Sequence, residues 1–214
     1  MNDGLRLAEL LAMRLCHDLS GPLGTLMGSI EMVNEDPEAA EEALALATEV
    51  SAGLARRLRF LRAAWGGPTA ALGFEDLRAL AEGLPQGRRV TVSFEHLASN
   101  IEFPPAAARL VLNVLLLAAE SLPGGGTVTV AGEPARGVIV SIAGPRAAWP
   151  AGLAAYMSNE AHAWAALADE GSEASRTLQA PLTTLLARRS GMRLGFLMSA
   201  QQEAAPPLVL SPAG

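Results

Sequence analysis

The chain has 214 residues, half of them apolar and only 4% aromatic, and a formal charge of −6 at pH 7. That length can bury a sizeable core as one large or two small domains, and the Ala- and Leu-rich, aromatic-poor composition favours helices over an all-β fold. The negative charge argues against nucleic acid, whose phosphates call for clustered Lys and Arg, and a lone cysteine, Cys16, closes no internal disulfide and fits a reducing cytoplasm.

The N-terminus lacks the basic and long apolar regions of a secretory signal. The longest apolar run, 110–119, is interrupted by Asn113 and too short to span a bilayer. A soluble, cytoplasmic protein is expected, with no membrane and no nucleic acid among its partners.

The first predicted element is a long helix ending near Asn34. Within it Leu11, Leu15, Leu19, Pro22, Leu26, Ser29 and Val33 recur at steps of three and four, an apolar stripe wide enough for one wall of a bundle. His17 lies two residues from both Leu15 and Leu19, about 160° from the stripe at roughly 100° per residue, and is expected on the outer face. Beside it at helical spacing stand Leu10, Met13, Arg14, Ser20, Gly21 and Gly24, with Gly28 one turn further.

Each interior glycine gives up about 1 kcal/mol of helix stability relative to Ala. Three of them around one imidazole leave a flat surface on which another protein could bring a reactive atom to the ring. A lone surface histidine is most often a solvated side chain, but the adjoining Asp18, the glycines and Pro22 favour function. Pro22 removes a backbone donor and should bend the helix just past the site. Cys16 could point to metal or thiol chemistry, yet no second cysteine or nearby histidine completes a site.

Asp36 is expected to cap a second helix, with Pro37 at its first position and Glu38 in its first turn. That helix carries Leu44, Ala47, Ser51, Leu54, Leu58, Leu61 and Trp65 at alternating steps of three and four, a coiled-coil-like seam. Arg56, Arg57, Arg59 and Arg62 crowd its end, either as a solvated helix terminus that complements the dipole or as a docking patch for acidic partners. Gly66-Gly67-Pro68 stops it. A hairpin of two such helices is no stable domain alone, and a two-fold dimer forming a four-helix bundle would bury both stripes and present His17 twice.

Residues 66–73 read as a Gly-, Pro- and Ala-rich linker. Beyond it the pattern predicts a short helix at 74–83, strands at 90–94, 127–131 and 138–142, and a helix from Pro105 through Glu120. A helix at 148–164, another at 180–190, and strands at 193–199 and 207–210 follow. This alternation predicts an α+β unit whose sheet is covered on one face. His96 and His162 stand alone and read as structural or solvated.

With His17, Asp18 and Pro22 in a His-acid-x-x-x-Pro arrangement, residues 1–66 resemble the dimerisation and histidine-phosphotransfer domain of bacterial sensor kinases. Residues 73–214 resemble the kinase ATP-binding domain. The stretches LCHDLSGPLG and GSIEM resemble the ChpT-type histidine phosphotransferases more closely still, dimeric relay proteins built on a kinase plan without kinase activity. The resemblance implies an α+β fold: an antiparallel helical hairpin forming a dimeric four-helix bundle, then a degenerate histidine-kinase-ATPase-like α/β sandwich.

The departures from an active kinase bear on the activity implied. Asn113 matches the first of two asparagines four residues apart, but Leu117 stands where the second should hold Mg²⁺, and Glu120 where a basic residue is expected. The adenine-reading Asp-x-Gly-x-Gly falls on Ile142, Ala143, Gly144, Pro145 and Arg146. Where a Gly-x-Gly loop should cradle phosphates the chain has Thr177, Leu178, Gln179 and Ala180. ATP binding is therefore not expected.

What the resemblance implies instead is a shuttle. His17 would take a phosphoryl group from the receiver domain of a hybrid histidine kinase and pass it to downstream response regulators. An ordinary imidazole, titrating near about 6.5, offers an uncharged nucleophilic nitrogen at neutral pH. Asp18 would orient the ring or accept its proton, and Ser20, Gly21, Gly24, Thr25 and Gly28 would form the landing surface, with Arg14 at its rim. No cofactor or metal is expected in this chain; Mg²⁺ would sit in the receiver. Arg146, Trp149, Arg188 and Arg189 could line a further surface that grips it. The rivals are an ATP-dependent sensor kinase core and a non-catalytic dimer that binds a kinase or regulator.

Overall fold

The computed structural model describes residues 3–67, 70–85, 89–169, 171, 174–197 and 205–213. The chain opens with two long helices, α1 (Asp3–Glu35) and α2 (Ala40–Trp65), packed as a hairpin. α1 continues as one helix through Pro22. Its predicted stripe faces inward, with Ser29 buried and Leu11, Leu15, Leu19, Pro22, Leu26 and Val33 half-buried.

The start of α2 differs from expectation. Asp36 Oδ1 accepts from the amides of Glu38 at 3.0 Å and Ala39 at 3.3 Å, so it caps the turn at 37–39, and regular helix begins only at Ala40. These residues are used up in reversing the chain.

The seam of α2 is also only half covered. Ala47 and Leu61 are buried and Leu54 half-buried, whereas Leu44 (60%), Ser51 and Leu58 (46%), each seven residues apart, are exposed. Ala43, Phe60 and Ala64 take buried positions that the predicted seam did not include. The helix is turned so that α1 and the body cover Ala43, Ala47, Phe60, Leu61 and Ala64 and leave the Leu44–Leu58 side open.

After α2 the chain forms β1 (Leu72–Gly73), inside the expected linker and paired with the later β3 (Glu102–Phe103). α3 (Phe74–Ala81) and β2 (Val90–His96) follow, then α4 (Pro105–Glu120), which crosses from β2 to its parallel neighbour β4 (Gly126–Glu133). β5 (Gly137–Ala143), β6 (Met192–Phe196) and β7 (Leu208–Pro212) complete a five-stranded sheet in the order β2-β4-β5-β7-β6, antiparallel beyond the first pair. Gly126 enters β4 at φ 148°, where a Cβ would collide with the Ala143 carbonyl of β5.

Strand alternation sends Val128, Val130, Val138, Val140, Ile142, Leu208 and Leu210 to the covered face. Every residue from 110 to 119 of α4 is buried, packed between this face, α8 and the end of α2. The single helix expected at 148–164 is two, α5 (Leu153–Ser158) and α6 (Glu160–Ala168). Asn159 is extended (φ −140°, ψ 120°) and its side chain accepts from the Ala161 amide at 2.9 Å, so it starts a new helix as an N-cap. α7 (Ala174–Thr177) and α8 (Gln179–Arg189) follow. The strand expected at 193–199 ends at Phe196, and its last two positions lie outside the described residues.

The hairpin is seated on this α/β body. Leu10 of α1 is buried with Ala163, Leu167, Ala174, Leu178, Leu182 and Leu185 of the α6–α8 region, while Phe60, Leu61 and Ala64 of α2 join the main core around α4. Among the described residues no helix is long and apolar enough to cross a membrane.

Candidate functional site

His17 stands near the middle of α1 with its side chain 63% exposed, where the helical period placed it. Asp18, one residue and 100° further round, turns into the crevice between α1 and the body and is only 9% exposed. Its Oδ1 lies 3.4 Å from His17 Nδ1. Its Oδ2 accepts from Arg14 Nε at 3.0 Å. The imidazole thus presents its Nδ1 edge to a carboxylate, and Nε2 has no partner among the described residues.

Two arginines hold this arrangement from below. Arg14 was expected at the rim of the landing surface; its side chain is only 11% exposed and turns onto the body. Nη2 donates to Glu120 Oε1 at 2.7 Å, and Nη1 to the carbonyls of Arg176 at 3.2 Å and Ser175 at 3.5 Å. Arg57 reaches across from α2, donating to the Asp18 carbonyl at 2.8 Å and to that of Pro85 at 2.7 Å. It is therefore neither a solvated helix end nor part of a free docking patch, although Arg59 and Arg62 are exposed.

Burial shapes the charges. It pushes the Glu120 carboxyl up to about 7, a rise that the adjacent Arg14 guanidinium restrains. It works against the charge of Arg14 too, yet the carboxylates of Glu120 and Asp18 outweigh it and hold that guanidinium above its ordinary value. Arg57 is lowered by its burial, with Asp18 partly offsetting the change.

The expected landing surface is open. Ser20, Gly21, Gly24, Thr25 and Gly28 are all exposed. A Cβ added at Gly21, Gly24 or Gly28 would meet nothing within 4 Å, so no packing inside this chain requires glycine there. The hydroxyls of Ser20 and Thr25 fold back onto the carbonyls of Cys16 and Gly21, which removes polar reach from the surface. Exposed Met13 and Met27 lie on the same side at helical spacing. Cys16 is exposed and free.

Of the positions that would serve a nucleotide in a kinase, Asn113, Leu117, Ile142 and 178–180 lie in the interior, whereas 143–146 and Thr177 are exposed. Leu117 is fully buried, and Ile142 is 7% exposed within the core. Asn113 donates to the carbonyls of Ala64 and Arg109, both at 2.9 Å. Gln179 Nε2 in turn donates to Asn113 O and Oδ1 at 3.0 Å and to Thr183 Oγ1 at 3.0 Å. Leu178, Gln179 and Ala180, where a phosphate loop would run, are buried at the α7–α8 junction.

Arg146 adopts φ 60° in place of the motif's second glycine, and Trp149 Nε1 donates to the Pro206 carbonyl at 2.8 Å. Arg188 and Arg189 are exposed at the end of α8, Arg188 donating to the Met157 carbonyl. His96 and His162 are exposed and distant in sequence from the site. Among the described residues no group of three or more His, Cys, Asp or Glu is placed to hold a metal ion.

The sequence reading missed Glu120 and Arg57 as parts of the site. Their signals were present: Glu120 is a lone carboxylate ending an otherwise apolar stretch, and Arg57 sits in a cluster of four arginines where its inward direction is not legible.

Comparison with known proteins adds three findings. A family model described as the histidine phosphotransferase C-terminal domain matches residues 74–202. A curated relative, the protein phosphotransferase ChpT of Brucella abortus (strain 2308), is 28% identical over 131 residues, 60% of this chain and 61% of that protein, so the match spans about three fifths of the relative's length. A solved structure of a bacterial phosphotransferase superposes with a TM-score of 0.71 at 24% identity, covering 96% of this chain and 95% of the other, and shares the fold.

Proposed function

The chain belongs to the histidine phosphotransferase family, and from that premise we propose that it relays phosphoryl groups between receiver domains through His17. The observation that carries this reading is the site itself: an exposed imidazole, its Nδ1 edge on a buried carboxylate, standing beside glycines that nothing in the chain needs.

Asp18 accepts a hydrogen bond from Nδ1–H, which leaves the lone pair on Nε2. Nε2 attacks the phosphorus of an aspartyl phosphate on the receiver, in line with the leaving oxygen. The N–P bond forms as the P–O bond of the acyl phosphate breaks, and the electron pair leaves on the receiver's carboxylate. Phosphorylation at Nε2 makes the ring cationic, and the Asp18 carboxylate beside Nδ1–H stabilises that charge. A response-regulator aspartate then attacks the phosphorus and takes the group on. Mg²⁺ belongs to the receiver's acidic pocket. Ser20, Gly21, Gly24, Thr25 and Gly28 let the receiver approach the ring, while Arg14 keeps Asp18 in place.

On this reading residues 1–66 are the dimerisation and phosphotransfer unit and 73–214 a body that does not use ATP, all acting in the cytoplasm. The burial of Leu117, Ile142 and Gln179 supports a source other than a nucleotide. A homodimer is supported by Leu23, Ile30, Leu44 and Leu58, large apolar side chains exposed on a single hairpin. A second copy would cover them by completing a four-helix bundle.

The test mixes the purified protein with a receiver domain carrying labelled aspartyl phosphate. Label should move to the protein as an acid-labile phosphoramidate, and His17→Ala should abolish the transfer while leaving melting temperature and oligomeric state unchanged. Label persisting in His17→Ala would sink the proposal.

A further inference from the structure

Glu120 is an unexpected residue where it stands. It ends α4 after ten consecutive buried residues, 110–119, and its own side chain is 19% exposed. A carboxylate at a helix C-terminus faces the negative end of the dipole. Burial also disfavours its charge, as its raised proton affinity records. Two unfavourable circumstances at one position call for an offsetting role.

That role lies 106 residues away in sequence. Arg14 uses all three guanidinium nitrogens: Nε on Asp18, Nη2 on Glu120, and Nη1 on the carbonyls of Ser175 and Arg176. A guanidinium is planar, so anchoring two of its corners on the body fixes the third. Arginine and a carboxylate otherwise prefer a two-pronged pair in which both oxygens accept from the same fork. Here Glu120 occupies Nη2, so Asp18 meets Arg14 through Oδ2 alone and Oδ1 stays directed at His17 Nδ1, 3.4 Å away.

Resting on the relay reading, we propose that Glu120 is a positioning residue for the phosphoacceptor. By keeping Arg14 one-pronged on Asp18, it holds a carboxylate oxygen at Nδ1 of His17 and so leaves Nε2 free to take the phosphoryl group. The body would then act on the chemistry from a distance, without touching the receiver or the ring.

Above pH 7, where Glu120 is ionised, Glu120→Gln keeps the shape and removes the charge. In the free protein, ¹⁵N spectra of labelled histidine should show a smaller Nδ1–H fraction at His17 in this variant than in the wild type. With a phosphorylated receiver, transfer should slow roughly three- to tenfold, the scale of one weakened positioning hydrogen bond. Because Glu120 acts through Asp18, Asp18→Asn combined with Glu120→Gln should be no slower than Asp18→Asn alone.

A lower melting temperature with unchanged tautomer and unchanged rate would make Glu120 merely structural and overturn the proposal. Independent, additive losses in the double variant would overturn it as well. Should Glu120→Gln fail to fold, Arg14→Lys keeps the charge without the fork: it should shift the tautomer in the same direction, and an unchanged tautomer there is equally fatal. The tautomer readout needs no receiver. If the wild type took no label, the relay reading would fail while the positioning claim was still decided.

Discussion

α1 and α4 are both long helices, and they treat their side chains in opposite ways. α1 spans 33 residues and fully buries only Leu10 and Ser29. α4 spans 16, and nothing from 110 to 119 reaches solvent. Stability is concentrated in α4, whose apolar side chains meet the sheet, α8 and the end of α2. α1 instead carries an uncovered imidazole and three glycines at a cost to its own helix, and is held by α2 and the body. The contrast is a division of labour, with the exposed His17 imidazole on a helix that buries few of its side chains and the carboxylate that pairs with its neighbour Arg14 on one that buries nearly all of them. The Arg14–Glu120 pair is where the two helices are tied together.

The largest expected effect breaks the α4 side of this contrast. Leu117→Asn restores the residue type of an active kinase at a fully buried site. It loses leucine packing and buries an amide, so urea denaturation should read a destabilisation of about 4 kcal/mol, with no gain of ATP binding. A stable variant that binds ATP would mean that the body is not closed. On the hairpin, Leu44→Glu with Leu58→Glu should leave one chain's fold within about 0.5 kcal/mol, since both side chains are exposed. Sedimentation at micromolar concentration should nonetheless change from dimer to monomer, and a persistent dimer would place the interface elsewhere.

Gly24→Ala sharpens the α1 side. With nothing within 4 Å of the added methyl, the helix should gain roughly 0.5–1 kcal/mol in thermal or urea unfolding. Transfer from the receiver should slow at the same time; a variant that is more stable and equally fast would remove the case for a landing surface.

A pH-dependent effect concerns the junction. The folded chain holds the Glu120 proton up to about pH 7, whereas an ordinary glutamate releases it near 4.5. Between those values the folded state binds the extra proton, so this group's contribution is complete below pH 4.5 and lost as pH rises to 7. The wild type should therefore lose stability relative to Glu120→Gln across that window. Parallel stability curves would show that Glu120 titrates normally.

Much of this was legible in the chain alone. The outward position of His17, the inward stripe of α1, the hairpin and the alternation of strands and helices all follow from periods of 3.6 and 2, which depend only on local backbone geometry. The break at Asn159 was less legible, because the helical pattern runs across it and only the cap chemistry of one residue marks the division. The inward side of α2 was half legible: its C-terminal half is buried on α4 and the body, a direction that the stripe alone does not mark.

What the sequence determined by itself was therefore which residue faces solvent and what kind of unit follows it. What only the tertiary structure decided was how that residue is held: Arg14 turned inward, Arg57 spanning three segments, Glu120 joined to a helix 106 positions earlier, and Asn113 closed off by Gln179. Such pairings depend on where whole elements dock, and docking is set by the summed burial of many side chains. No local pattern around a single charge encodes it.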